Sequence, residues 1–264
     1  MNILGQNPKF YVTPSSGTLD LLVQMKNTWN TNPMFKAWDN DLCEKVKENV
    51  LNAVLQASFQ HTDKPVCFDK NRGWPSFFEL AQALIGDFKC LVTVRDLRDV
   101  ITSFEKLFRM TSALGRIPQD DDPLKMRIAL NRIRVFISDG EPIGRAFNAI
   151  NDSILRGWLN HMYFVDYEKL TNSPENTMEC IYEFLGEEPY DHDFDNVEQI
   201  THEDDDVHGF KNLHKIRPKV KPQPSSWQNC FDDTVFKNEI WQNITGNARF
   251  WEKHLKSGPI GPNL

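Results

Sequence analysis

Phe88-Lys-Cys-Leu-Val-Thr-Val-Arg-Asp-Leu-Arg-Asp-Val-Ile-Thr-Ser-Phe-Glu-Lys106 decides how the chain reads. Cys90 to Val94 is a short apolar run rich in β-branched residues, the pattern of a buried strand. The run stops at Arg95-Asp96. From Val100 the apolar residues Val100, Ile101, Phe104, Leu107 and Phe108 recur at helical spacing, and Asp96 or Asp99 can cap that helix. Arg95 therefore leaves the carboxyl end of a strand, and Ser103 falls within the first two turns of the next helix. Open α/β sheets bind ligands at the carboxyl ends of their strands. An arginine, a hydroxyl and free helix N–H groups in that place suit a phosphate. The plain alternative is a loop ion pair between Arg95 and Asp96, with Ser103 an ordinary helix residue.

Two further segments repeat the arrangement. Pro65-Val-Cys-Phe-Asp-Lys-Asn-Arg-Gly-Trp-Pro75 reads as a short strand over 66–68 that ends in a charged turn. It puts Lys70 and Arg72 at a strand end, where two cations can converge on one anion, or form no more than a solvated turn. Met162-Tyr-Phe-Val-Asp-Tyr-Glu-Lys-Leu170 reads as a strand over 162–165, followed by a helix that Pro174 opens and Gly186 stops. Tyr167 sits at that strand end, near a ligand or simply in the core. Three strands alternating with helices give an α/β class with a short, mostly parallel sheet flanked by helices on both faces.

The arrangement Arg95-Asp-x-Arg-Asp-Val-x-x-Ser103 resembles the 3′-phosphate-binding segment of sulfotransferases that use PAPS (3′-phosphoadenosine 5′-phosphosulfate). Tyr167-Glu-x-Leu, then Pro174-Glu and Ile181-Tyr-Glu-Phe-Leu-Gly186, resemble the same family. The resemblance implies the sulfotransferase fold, related to P-loop nucleotide hydrolases, and transfer of a sulfuryl group from PAPS to a hydroxyl or amine with release of PAP. It implies that Arg95 and Ser103 hold the 3′-phosphate, that Tyr167 contacts adenine, and that Lys70, with Arg72 beside it, stabilises the departing 5′-phosphate. Where cytosolic members carry a histidine base just after this lysine, the chain has Asn71-Arg72, so the base is unassigned. A basic loop late in the family closes over the nucleotide; Lys215, Arg217, Lys219 and Lys221 are its counterparts by place, in a proline-rich stretch that suits a lid.

The start of the chain departs from the family pattern. Met1 to Ser16 resembles the segment that follows the family's 5′-phosphosulfate loop, with Met1–Leu4 as a helix tail stopped by Gly5. The loop and its preceding strand are expected to be missing, either because Met1 is internal to a longer chain or because the protein is a shortened homologue. Ser15-Ser16-Gly17-Thr18 is read as a helix start for Leu19, Leu21, Leu22 and Met25, lacking the apolar strand a phosphosulfate loop requires. A homologue that binds PAP without transferring sulfuryl is the alternative function. A P-loop kinase is disfavoured, because no Gly-x-x-x-x-Gly-Lys-[Ser/Thr] occurs.

The remaining expectations are broader. The chain has 264 residues, 40% hydrophobic and 25% charged, which fits one α/β domain over 1–264 with a loose tail at 256–264. A net charge of −7 argues against a nucleic-acid partner. The partner expected is a small-molecule, glycan or peptide acceptor. Five scattered cysteines without Cys-x-x-Cys read as reduced thiols, and the absence of long apolar stretches means no membrane partner; both point to the cytoplasm. His192, His202, Glu203-Asp-Asp-Asp206 and His208 match neither a His-x-x-x-His nor a calcium-loop spacing, so no metal is expected. Asn196–Ile200 reads as helix. Asp120-Asp-Asp-Pro123 reads as an acidic helix start, and most of the arginines among Met126–Phe136 read as a solvated face.

Overall fold

The computed structural model describes residues 1–113, 125–231 and 234–255. The acidic start at Asp120–Pro123 and the tail at 256–264 lie outside them.

Four strands run in two parallel pairs. β1 (Phe10–Ser15) pairs with β2 (Val66–Lys70), and β3 (Cys90–Val94) with β4 (Met162–Asp166). The second pair is regular from Cys90↔Met162 to Val94↔Asp166. The first is regular from Phe10↔Val66 to Val12↔Phe68, then shifts before Ser15↔Lys70. Pro14 accounts for the shift, because it has no N–H to give the ladder. The Lys70 N–H donates to the Thr13 hydroxyl instead, at 2.8 Å.

The helices follow in chain order: α1 (Thr18–Thr31), the single turn α2 (Pro33–Lys36), α3 (Asn40–Ala57), α4 (Phe78–Ile85), α5 (Leu97–Ala113), α6 (Ala129–Ile137), α7 (Pro142–Leu155), α8 (Tyr167–Asn172), α9 (Pro174–Leu185), the short α10 (Trp227–Cys230) and α11 (Thr234–Ile244). Side chains alternate across the β3–β4 pair, as the period of two requires. Val92, Val94, Met162 and Phe164 pack with Phe78 and Ala81 of α4, Ile150 of α7, and Phe250 and Trp251. On the opposite face, Val165 joins Phe10 and Val12 of β1 and Met178, Ile181 and Tyr182 of α9, with Leu91 and Tyr163 packed against them. That shared core ties the two strand pairs together. α9 ends at Gly186, whose φ of +71° lies in the left-handed region a helix stop favours.

Three local expectations are corrected, and a fourth, that most arginines among Met126–Phe136 form a solvated face, holds with one exception. Leu4–Gln6 is a 3-10 turn that runs through Gly5, so Gly5 does not stop a helix. Asn196–Ile200 is not helical: its neighbourhood is tied to a later extended stretch, with Val197 N–H donating to Pro218 O and Val220 N–H to Phe194 O. Arg127 and Arg134 are exposed, but Arg132 is buried. It pairs at 2.6 Å with Glu105, itself fully buried, gives a hydrogen bond to Met126 O, and lies over the Phe108 ring. A charge so placed is tolerated only because every part of it has a partner. Most consequentially, an apolar strand does precede Ser15–Thr18: β1, with Phe10 and Val12 buried. Pro14 interrupts the apolar pattern after Val12, and the Thr13 hydroxyl carries the pairing past the proline.

Among the described residues, no helix is long and apolar enough to cross a membrane.

Candidate active site

The carboxyl ends of the strands carry the charged residues, and local hydrogen bonding decides which of them are free. At the end of β3, Asp96 does not pair with Arg95. It accepts from the backbone N–H of Arg98 at 2.9 Å and holds the Arg98 guanidinium at 2.5 Å. Asp96 thereby caps α5. Asp99 is buried and accepts from the Ser225 hydroxyl and the Ser226 N–H, both at 3.0 Å. With both neighbouring aspartates committed, Arg95 has no carboxylate partner among the described residues. Its guanidinium lies 4.3 Å over the Tyr167 ring, and its buried Nε has no hydrogen-bond partner. Tyr167 begins α8 at the end of β4, so the β3–β4 pairing brings the two together. Ser103 is exposed on α5. A half-buried arginine seated on a ring rather than on an acid keeps a donor without a partner in the protein.

Asp166 builds the base of this corner. It is buried, caps α8 through the N–H groups of Glu168 and Lys169, and accepts from Trp251 Nε1 at 3.0 Å and Arg249 at 3.1 Å. Burial alone would raise its pKa, but those hydrogen bonds and the Arg249 charge outweigh it and hold the carboxyl below its normal value. Arg249 and Trp251 thus fasten a distant part of the chain to the strand end.

The end of β2 is built differently. β1 runs into Ser16-Gly17 and then α1. Ser16 N–H donates to Lys70 O at 2.9 Å, Asn71 Nδ2 donates to Ser16 O at 2.8 Å, and Ser16 Oγ accepts from Thr18 N–H at 3.1 Å. The turn is thereby clamped beside Lys70, at the N-terminus of a 14-residue helix whose first-turn N–H groups lack intrahelical partners. Lys70 is not free. Its ammonium is 2.7 Å from Glu203, whose side chain is only 6% exposed. Burial would raise the Glu203 pKa, yet its polar contacts, the Lys70 ammonium foremost, bring it down to about 2. Glu203 also faces His214 at 3.3 Å, and His214 Nδ1 is 2.7 Å from Asp205. Arg72 is exposed and points toward α7, within 3.5 Å of Pro142 O. Its pKa is held down, first by desolvation and then by the like charge of Arg145.

The expected residues therefore sort into groups. Arg95 and Tyr167 are in contact, with Ser103 on the helix that follows Arg95. Lys70 stands at the neighbouring strand pair beside the Ser15–Thr18 turn. Lys215, Arg217 and Lys219 are exposed and make no described contact with Arg95 or Ser103; Lys219 is paired at 2.5 Å with Asp195. Sequence reasoning did not connect Glu203 with Lys70, which it reaches from far along the chain, nor His214 with Glu203. It passed over Thr13 and set Ser15 aside for want of the strand that β1 supplies.

A strand-end arginine on a tyrosine ring, a lysine at the next strand pair and a clamped turn opening a helix all stand at the carboxyl ends of parallel strands in one α/β frame. The comparisons agree with that frame. Among solved structures, the sulfotransferase domain from the curacin biosynthetic pathway is similar, with a TM-score of 0.50 and 13% identity over 91% of this chain and 90% of that one; at that identity the likeness speaks for the fold. No curated protein sequence matches. The family profile described as "Sulfotransferase domain" matches residues 21–254, from within α1 through Trp251 and beyond. That span takes in Lys70, Arg95, Ser103 and Tyr167, and with it the chain belongs to the sulfotransferase domain family.

Proposed function

We propose that the chain transfers a sulfuryl group from PAPS to a hydroxyl or amine acceptor. The observation that carries this reading is the state of Arg95: stacked on Tyr167, free of carboxylates and left with an orphan buried N–H. Those residues fit a 3′-phosphate. Ser103 adds a hydroxyl from α5, and Tyr167 supplies the ring edge for adenine. Ser15, Ser16 and Gly17, leading into α1, fit the 5′-phosphosulfate end, where turn and helix N–H groups favour an anion. Bound PAPS would supply the activated sulfuryl group. Lys70 would neutralise charge as it develops on the departing 5′-phosphate, and Arg72 lies one residue beyond Asn71 to assist. Positioning and charge neutralisation, rather than covalent chemistry by the protein, would supply most of the rate. Lys215, Arg217 and Lys219 would serve the nucleotide only by movement of their segment.

The 2.7 Å Lys70–Glu203 pair favours a second reading, a homologue that binds PAP without transferring sulfuryl. Incubation with sulfur-labelled PAPS and a panel of hydroxyl and amine acceptors separates the two. Transfer of label that is lost in Lys70→Met supports the enzyme. Tight PAP binding with no transfer to any acceptor supports the second reading.

A further inference from the structure

We propose that Glu203, His208 and His214 form a binding site for one divalent transition-metal ion of the zinc class. Each offers one ligand atom, and these atoms lie within 4.8 Å of one another. Their spacing in sequence follows no helix or strand period. The 3-10 turn Asp205–His208 folds the segment so that the His208 ring stands 5.3 Å from that of His214.

Two observations besides the clustering point to an ion. The first is the preparation of His214. Asp205 Oδ1 sits 2.7 Å from its Nδ1. An acceptor there places the proton on Nδ1 and leaves the Nε2 lone pair for a ligand, the carboxylate–histidine arrangement that orients metal-binding imidazoles. Nε2 is turned to Glu203 Oε2, 3.3 Å away. The second is Glu203 itself, whose side chain is 94% buried by virtue of its 6% exposure. Oε1 accepts from Lys70, whereas Oε2 is buried with no hydrogen-bond partner. A buried carboxylate oxygen without a donor, aimed at a prepared imidazole, calls for a cation between them.

The donor set selects the metal. Two imidazoles and one carboxylate suit zinc and its transition-metal neighbours. Calcium and magnesium prefer a shell of oxygens. Three protein ligands leave a fourth position open to water or an exogenous ligand. Asp204, Asp205 and Asp206 lie in the same segment and supply negative charge that offsets the nearby Lys70 ammonium. Because Glu203 would bridge the ion and Lys70, occupancy of the metal site and the freedom of Lys70 are linked, and the linkage is reciprocal. The site itself does not depend on the sulfuryl-transfer reading.

The test uses the full chain, stripped with a chelator and dialysed. Titration with Co2+ is followed by visible absorption, and Zn2+ affinity by competition with a chromophoric chelator. We expect one ion per chain, Co2+ bands of a four- or five-coordinate site, and loss of both signals in His214→Ala and in His208→Ala. Asp205→Asn should weaken Zn2+ binding about 10- to 100-fold while keeping the stoichiometry. Thermal melts of the stripped variants show whether each is folded, and Zn2+ should raise the melting temperature of the wild type, and of Asp205→Asn at higher concentration, but of neither histidine variant. Absence of stoichiometric binding to the wild type overturns the proposal. So does binding that survives unchanged in folded His208→Ala and His214→Ala, since the ion would then sit elsewhere.

Discussion

The two strand pairs end in the same way and in opposite electrostatic states. Each delivers a cation from the carboxyl end of a parallel strand, Arg95 from β3 and Lys70 from β2. At β3–β4 every nearby carboxylate is spent on something else: Asp96 on Arg98, Asp99 on Ser225 and Ser226, Asp166 on Trp251 and Arg249. Arg95 is left on a tyrosine ring. At β1–β2 a carboxylate arrives from elsewhere in the chain, and Glu203 occupies Lys70. One cation has no carboxylate partner among the described residues; the other is already paired with one of the protein's own. The topology places a cation at each strand end, but the availability of that cation depends on where the neighbouring acids find their donors.

The largest effect expected is on the support of the open corner. Trp251 is fully buried and donates to Asp166 at the end of β4. Trp251→Ala should cost about 3–5 kcal/mol in denaturant unfolding; a loss under about 1 kcal/mol would mean that Arg249 and the helix cap hold Asp166 unaided. Next in size is the seat of Arg95. Tyr167→Leu keeps an apolar body but removes the ring, and should weaken PAP binding by about 0.5–2 kcal/mol, roughly 2- to 30-fold. Unchanged affinity would show that the ring only fills space. At the occupied corner the effect should be smaller and opposite in sign. Lys70 is about one-third exposed, and pairs of that kind contribute at most about 1 kcal/mol. Glu203→Gln should therefore tighten PAP binding by up to about fivefold, since the 5′-phosphate no longer competes with a carboxylate for Lys70; weaker binding would mean that Glu203 positions Lys70 for the ligand. The smallest effect is in acid. Glu203 has a folded pKa of about 2, below its normal 4.5. Its contribution to stability is complete above pH 4.5 and is lost as pH falls toward 2. Unfolding curves between those values should fall more steeply for the wild type than for Glu203→Gln, and parallel curves would remove the claim that the pair is stabilising.

What the sequence revealed follows the range of the interactions concerned. β3, its turn and α5 were legible because apolar run, cap and helical period all lie within 20 residues or so of one another. The same is true of β4 and the Pro174 helix start. β1 was not legible, because Pro14 breaks its apolar pattern and the hydroxyl of Thr13 that repairs the pairing bonds to Lys70, 57 residues away. Arg132 has the sequence signature of a surface charge, because its buried partner Glu105 lies 27 residues earlier. Glu203 was visible only as part of an acidic run, and its meeting with Lys70 spans 133 residues. Local periodicity gave the cations their places. It carried no information on which of them a remote acid would reach.

Arg95 as the receptor of a 3′-phosphate is the assignment on which the proposed sulfuryl transfer rests. Isothermal titration of PAP and of 5′-ADP, which lacks that phosphate, into the wild type and Arg95→Ala measures it in one experiment. Arg95→Ala should lose about 1.5–3 kcal/mol, roughly 10- to 100-fold, against PAP and almost nothing against 5′-ADP. Equal binding of PAP by the two proteins, or equal losses for both nucleotides, would contradict it.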